Sequence, residues 1–237
     1  HLGSLTFYQL DFLEAEKWYS KAEKVFDTLG DSAEVYRNNL ILGQSTLYTE
    51  TGEYNKAIAG LEYLLDYFKD KGEPFRRAWL LGSLSRVYGH QGLLHKGLSY
   101  SRESTRIFES IGMGKAPITI NGLTDQAEML VNIGRYREGI SIFNRAYRLE
   151  LELMGPGHPN HIMSFNSLSK AYLEVDPDSS KYFIDKALPL IIEHHSKESE
   201  LYANNRERLG NYYLKIGDYQ AAKTVLKETL DARKKSY

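Results

Sequence analysis

The 237-residue sequence contains no cysteine. That absence removes disulfides, thiolate metal sites and a cysteine nucleophile together, and it fits a reducing compartment. Excess charge is missing as well: 30 Lys and Arg face 31 Asp and Glu, a formal net charge of −1. A polyanion partner needs a basic excess or stripe, so direct nucleic-acid binding is not expected. Long apolar runs are absent. The longest covers residues 187–192, far short of the roughly 20 residues of a membrane span. No signal peptide is visible, and the cytoplasm is the expected compartment. Alternating apolar and polar runs are also lacking, so no sheet is expected.

Proline is scarce, with six residues. Pro74, Pro117, Pro156 and Pro159 separate longer proline-free stretches, and Pro177 sits in a turn. Pro189 alone lies within a helical pattern, where a kink or interruption is expected. The stretches between are rich in Leu, Ala, Glu, Lys and Tyr, which favour helix. Apolar residues at 42% and charged residues at 26% are ordinary for a folded chain.

One short layout recurs. It is clearest as Leu209-Gly210-x-x-Tyr213, then Gly217-Asp218-Tyr219, then Ala222. Gly52-Glu53-Tyr54 lies between Tyr48 and Ala57, and Gly134-Arg135-Tyr136 between Leu130 and Gly139. The small residue after each turn marks the register at Ala15, Ala57, Gly97, Gly139, Ser180 and Ala222. The steps are 42, 40, 42, 41 and 42 residues. A period of this size means stacked supersecondary units. The expected fold is an all-α, right-handed solenoid of about six helix–turn–helix units within one domain. The units run over about 1–30, 31–72, 73–113, 114–155, 156–196 and 197–237.

Each unit carries apolar residues three and four apart, such as Ala15, Tyr19, Ala22 and Phe26, which put one stripe on a helix face. Tyr48, Tyr88, Tyr172 and Tyr213 are expected in the core, with ring buried and hydroxyl partnered. The third unit has small residues at Gly97, Ser101 and Ser104, implying close helix approach or a looser seam. Its turn, Gly92-Leu93-Leu94, departs from the pattern. The fifth turn, Asp176-Pro177-Asp178, lacks the glycine and is one residue shorter, so altered geometry is expected. The first unit opens partway along a helix at Leu2-Gly3 and turns at Leu10-Asp11-Phe12. At the other end Val225, Leu226 and Leu230 are expected to face water or another element. The chain therefore reads as a segment of a longer protein, or one whose ends a partner covers.

The layout Leu-Gly-x-x-Tyr, then Gly-x-Tyr, then a small residue, resembles the tetratricopeptide repeat, whose usual length is about 34 residues. The longer step here lets each helix gain about one turn. This long form resembles the repeats of kinesin light chains, those preceding CHAT-type protease domains, and those of bacterial peptide-sensing regulators. Gly157-His158-Pro159 leading to Asn166-x-Leu168-Ser169-x-x-Tyr172 carries the local likeness to the first two. The resemblance implies that first helices line an inner wall, with exposed positions between the buried ones. Those expected to contact a peptide or partner are Asn39, Trp79, Arg86, His90, Asn121, Glu128, Asn166, Lys170, Asn204 and Asn211. Thr46, Glu50, Asn132, Met163 and Glu207 flank them. An asparagine amide both donates and accepts, so it can hold a peptide backbone. Arg86 and Lys170 can pair with acidic groups, and Trp79 is a natural anchor. Repeats that clamp a C-terminal carboxylate carry Lys and Asn where this chain has Thr46, Arg86 and Glu128, so that ligand class is not expected.

Enzyme readings find little footing. His90 and His95 are five apart, and His194 and His195 are adjacent, so neither pair shares a helix face. His158 and His161 read as surface histidines beside a loop without a nearby carboxylate. No phosphate loop or nucleophile elbow is present. No catalytic residue, metal or cofactor is expected. The leading reading is a scaffold that binds a protein or peptide in its groove. The alternative is a regulatory or sensor segment of a multidomain protein (a CHAT-type protease, kinase or transcription regulator), with other domains of the same chain as partners.

Overall fold

Apolar stripes at helical spacing become helices throughout the computed structural model, which describes residues 12–29 and 34–235. No strand occurs among the described residues. The expected start at Leu2-Gly3 and the first turn at Leu10-Asp11 lie outside them. The chain forms two compact units, residues 1–114 and 115–237. The first holds α1 (Phe12–Leu29), α2 (Glu34–Glu50), α3 (Tyr54–Tyr67), α4 (Pro74–His90) and α5 (Leu94–Ser110). The second holds α6 (Pro117–Asn132), α7 (Tyr136–Met154), α8 (His161–Tyr172), α9 (Pro177–His194), α10 (Glu200–Lys215) and α11 (Tyr219–Lys235). Consecutive helices pair as α2–α3 and α4–α5 in the first unit. In the second they pair as α6–α7, α8–α9 and α10–α11. Within each unit successive pairs pack on one another.

The turn has a backbone reason. Helices α2, α4, α6 and α10 each end two residues before a glycine, and Gly52, Gly92, Gly134 and Gly217 have φ of +81 to +82°. A side chain in that left-handed region meets its own carbonyl, so glycine is favoured. The N–H of the next residue then reaches back five residues. Leu93, Arg135 and Asp218 donate to the carbonyls of Tyr88, Leu130 and Tyr213 at 2.8–2.9 Å. This is the Schellman closure of a helix end. The register mark after it is buried in every described pair. At Gly139 a Cβ would stand 2.7 Å from Val131 Cγ2 and 3.0 Å from the Ala127 carbonyl oxygen.

Two irregular units resolve differently. In the third, Ser104 Oγ donates to the Ala78 carbonyl at 2.7 Å; the small residues therefore give close approach, not a loose seam. In the fifth, α8 stops at Tyr172, and four residues, Leu173 to Asp176, link it to α9. The Asp176 N–H donates to the Tyr172 carbonyl at 2.8 Å, only four residues back. The Asp176 carboxylate then caps α9, accepting from Ser179 N–H at 3.4 Å and Oγ at 2.6 Å. The Ser179 hydroxyl and N–H hold its pKa below the ordinary carboxylate range. Pro74, Pro117 and Pro177 open helices α4, α6 and α9, where a missing N–H costs nothing.

Three expectations are corrected. Of the kink or interruption expected at Pro189, the interruption is absent: α9 runs from Pro177 to His194. Its neighbours Ala187 and Ile191 are fully buried against Ile162 and Phe165, and that packing outweighs one lost backbone bond. Val225 does not face water; it is buried with Ile184, Leu209 and Tyr212. Leu230 is exposed, as expected. Tyr212, not Tyr213, is the buried ring of α10, while Tyr48, Tyr172 and Tyr213 are half-buried beside their clusters.

Nothing lies within 4 Å of a Cβ placed on Gly217, so only backbone strain opposes a side chain there. Gly217→Ala should cost about 1–2 kcal/mol, and Gly217→Asn less, as read by the midpoint of chemical unfolding.

Candidate functional site

The first helices of the pairs present their polar stripes side by side within each unit. In the first unit, Asn39, Thr46 and Glu50 on α2 are exposed, as are Arg86 and His90 on α4, while Trp79 is half-buried. Thr46, Glu50, Trp79 and Arg86 are brought together around a recess of about 40 Å³, with Ser45, Thr49, Leu61, Ser83 and Val87. Asn39 and His90 stand away from it. The recess hydroxyls are satisfied internally: Thr46, Thr49 and Ser83 donate to the carbonyls of Leu42, Ser45 and Trp79.

In the second unit α6, α8 and α10 form the wall. Asn121, Glu128 and Asn132 on α6 are exposed, as are Met163 and Lys170 on α8 and Asn211 on α10. Two cross-helix bonds join the stripes of α6 and α8. Lys170 Nζ donates to Asn132 Oδ1 at 3.2 Å, and Ser167 Oγ donates to Glu128 Oε1 at 3.4 Å.

Two expected wall residues sit otherwise. Asn166 is 5% exposed, and its Oδ1 is shut from water with no donor. It lies on the same helical stripe as Met163 and Lys170, deeper than either. Asn204 is half-buried and turned toward α11, its Oδ1 accepting from Arg233 at 3.1 Å. Arg233 also holds Glu207. Both are thereby drawn from the open wall.

Arg208 belongs to the wall and was not expected there. It falls four residues after Asn204 and three before Asn211, a helical spacing the sequence displays. Its Nε is buried with no acceptor. Burial pushes its pKa down, and the charges of Glu207 and Glu128 pull it back up. Glu128 has the mirror problem. Solvent touches it, yet the wall around it strips water, and this desolvation, then the charge of Asp125, raises its pKa. Lys170, the Ser167 hydroxyl and Arg208 oppose that rise.

The histidines divide. His90, His95, His194 and His195 are exposed. His161 is not a surface residue: it is 1% exposed, and Glu150 is a nearby carboxylate at 3.6 Å from Nδ1. His161 Nε2 lies 2.8 Å from the Gly155 carbonyl oxygen. A carbonyl only accepts, so Nε2 carries the hydrogen. Ser164 Oγ donates to Glu150 Oε2, and the Tyr147 ring meets the imidazole edge-on at 5.3 Å. The cluster pins the loop at 155–160 to α7 and α8. No group of three or more His, Asp and Glu gathers as a metal site among the described residues.

The tetratricopeptide repeat family model matches residues 203–236, the stretch from α10 into α11 with the clearest turn. The chain has the fold of tetratricopeptide-type repeat structures. Its fold matches solved structures over most of its length. BtubC (BKLC) from P. vanneervenii is 16% identical, covers 92% of this chain and 89% of its own, and has a TM-score of 0.77. The nearly identical TPR-like repeats assigned to a kinesin light chain of Podosopora anserina are 15% identical. They cover 84% of this chain and 96% of their own, at a TM-score of 0.73. The Rap conjugation gene regulator of the plasmid pLS20, in complex with the Phr* peptide, is 13% identical. It covers 99% of this chain and 72% of its own, at a TM-score of 0.65. Such identities speak to the fold alone. No curated protein matches the chain in sequence.

The strained carboxyl of Glu128 has a pH signature. A raised folded-state pKa means that ionisation opposes folding. The penalty is present above the folded pKa and vanishes below the unfolded value, near 4.5. Glu128→Gln should therefore melt above the parent protein at pH 7, with the difference closing as pH falls from the raised folded pKa towards 4.5. Thermal unfolding at a series of pH values measures this.

Proposed function

We propose that the chain is a protein-interaction scaffold that holds an extended peptide or partner segment on its first helices. The wall of α6, α8 and α10 is the principal seat. The observation that carries this reading is Asn166, a carboxamide 5% exposed whose oxygen has no donor. Leaving a buried acceptor unpaired costs about 1–3 kcal/mol. The Asn χ2 torsion is soft, so a small rotation turns either end of the amide toward the wall. A peptide N–H and C=O then supply what the fold withholds. Asn121, Lys170 and Asn211 stand exposed on the same wall and are assigned contacts to the segment. Asn204, held by Arg233, positions the helix end instead.

The first unit's α2–α4 recess, with Trp79 and Arg86, is a secondary seat. The Rap regulator, similar in fold, is in complex with a peptide, which supports the reading. A regulatory role within a larger cytoplasmic protein is the second reading, supported by that same neighbour being a gene regulator. No catalytic step is assigned to the chain.

The test uses 12-residue peptides selected from a phage-displayed library on the purified chain. Calorimetry should show Asn166→Ala weakening selected peptides about tenfold, the worth of one buried hydrogen bond. Trp79→Ala should change them less. Peptides that bind Asn166→Ala and Lys170→Ala as tightly as the parent would overturn the assignment.

A further inference from the structure

The long cations of the second unit mostly have partners. Arg206 holds Glu228 at 3.2 Å and Lys215 holds Glu174 at 2.7 Å. Arg208 differs. Among the described residues no carboxylate lies within 4.0 Å of its guanidinium, and its buried Nε, like that of Arg206, has no acceptor. Taking an unpaired cation out of water is costly, and proteins rarely leave one so. Glu128 is close enough to act on Arg208 through space yet does not bond it. The Glu128 carboxylate takes its hydrogen bond from Ser167 of α8, the helix between the two. An opposite pair is thus held open across α8, with the unpartnered Asn166 amide on that same helix.

We propose that this wall selects a segment carrying both signs of charge, with a carboxylate seated on Arg208 and a cationic group seated at Glu128. The proposal rests on the peptide-binding reading above and adds the chemistry of the ligand. A neutral backbone satisfies Asn166 but leaves Arg208 without a carboxylate and Glu128 with only the Ser167 bond and the more distant charges of Lys170 and Arg208. A purely acidic segment meets Arg208 but is repelled by Glu128, and a purely basic one meets the reverse. Only a segment with both closes the pair, its charges set a few residues apart along an extended backbone of about 3.3 Å per residue. Like-charge juxtaposition rejects the others, which makes selection as much repulsion as attraction.

The experiment measures fluorescence anisotropy with labelled 12-residue Gly-Ser-rich peptides. Each carries one Asp and one Arg at separations of two to six, set beside versions with the Asp, the Arg or both replaced by Gln. Each is made with a free and with an amidated C-terminus. The two-charge peptide at one separation should bind the chain at least about tenfold tighter than the neutral version. Arg208→Gln should erase the preference for the acid and keep that for the base; Glu128→Gln should do the reverse. Persistence of the acid preference on amidation assigns a side-chain carboxylate to Arg208, and its loss assigns the C-terminal one; either supports the site. Arg208→Gln should melt at or above the parent temperature, because it removes a desolvated cation, so lost selection is not lost folding.

Neutral peptides that bind as tightly as charged ones, or an acid preference that survives Arg208→Gln, would overturn the charge selection. If Asn166→Ala weakens every peptide equally while the charge variants change no preference, only this inference falls. If no peptide binds at 100 µM (about −5.5 kcal/mol), it falls together with the scaffold reading.

Discussion

Everything in this structure depends on two helices touching just after a turn. The contact needs a residue with almost no side chain, and Ala57, Gly97, Gly139, Ser180 and Ala222 supply it, all buried. Gly139 shows how little room is left, since a Cβ there would enter Val131 and the Ala127 carbonyl. Where the small residue is a serine, its hydroxyl bonds the facing backbone: Ser180 Oγ donates to the Ser169 carbonyl at 2.7 Å. Gly210 makes the same allowance on α10, where an added Cβ would stand 2.5 Å from Leu226. Close approach fixes the angle and rotation of each first helix, and so which stripe it turns to its neighbours and which to solvent. A wall of aligned polar residues follows from that constraint repeated.

The repeat was legible because its marks are local and recur. A glycine that must take positive φ, a tyrosine or leucine carbonyl that receives the closing bond, and a small residue nine positions after it announce each pair without knowledge of the rest. The fifth turn was legible as an exception, though not in form: the sequence is shorter there, yet the link is longer because α8 ends early. What escaped was whatever depends on a neighbouring helix. Asn166 and Ser167 are adjacent in sequence, and the packing of α8 decides that the first is buried and the second meets Glu128. Asn204 looked free until α11 placed Arg233 against it. His161 looked like a loop histidine because Glu150 belongs to the previous helix. Arg208 lies on the stripe that spacing predicts, but its interest comes from partners it lacks.

In a solenoid, stability accrues at the seams between pairs. Several polar groups inside those seams have answers, although Ser85 Oγ and Asn205 Oδ1 have none. Ser104 bonds Ala78, Ser180 bonds Ser169, and Asn205 donates to the Ile184 carbonyl at 2.9 Å. On the wall, Asn166 keeps an unanswered oxygen and Arg208 an unanswered guanidinium nitrogen. The wall can carry them, because each costs a few kcal/mol at most once desolvation is shared with solvent, and the stacked seams supply the stability to bear it. Local conflicts in an otherwise consistent structure are expected where a ligand completes the site. The wall's own conflicts, at Glu128, Asn166 and Arg208, lie on three successive first helices of one unit, which is where an extended segment would cross them in order.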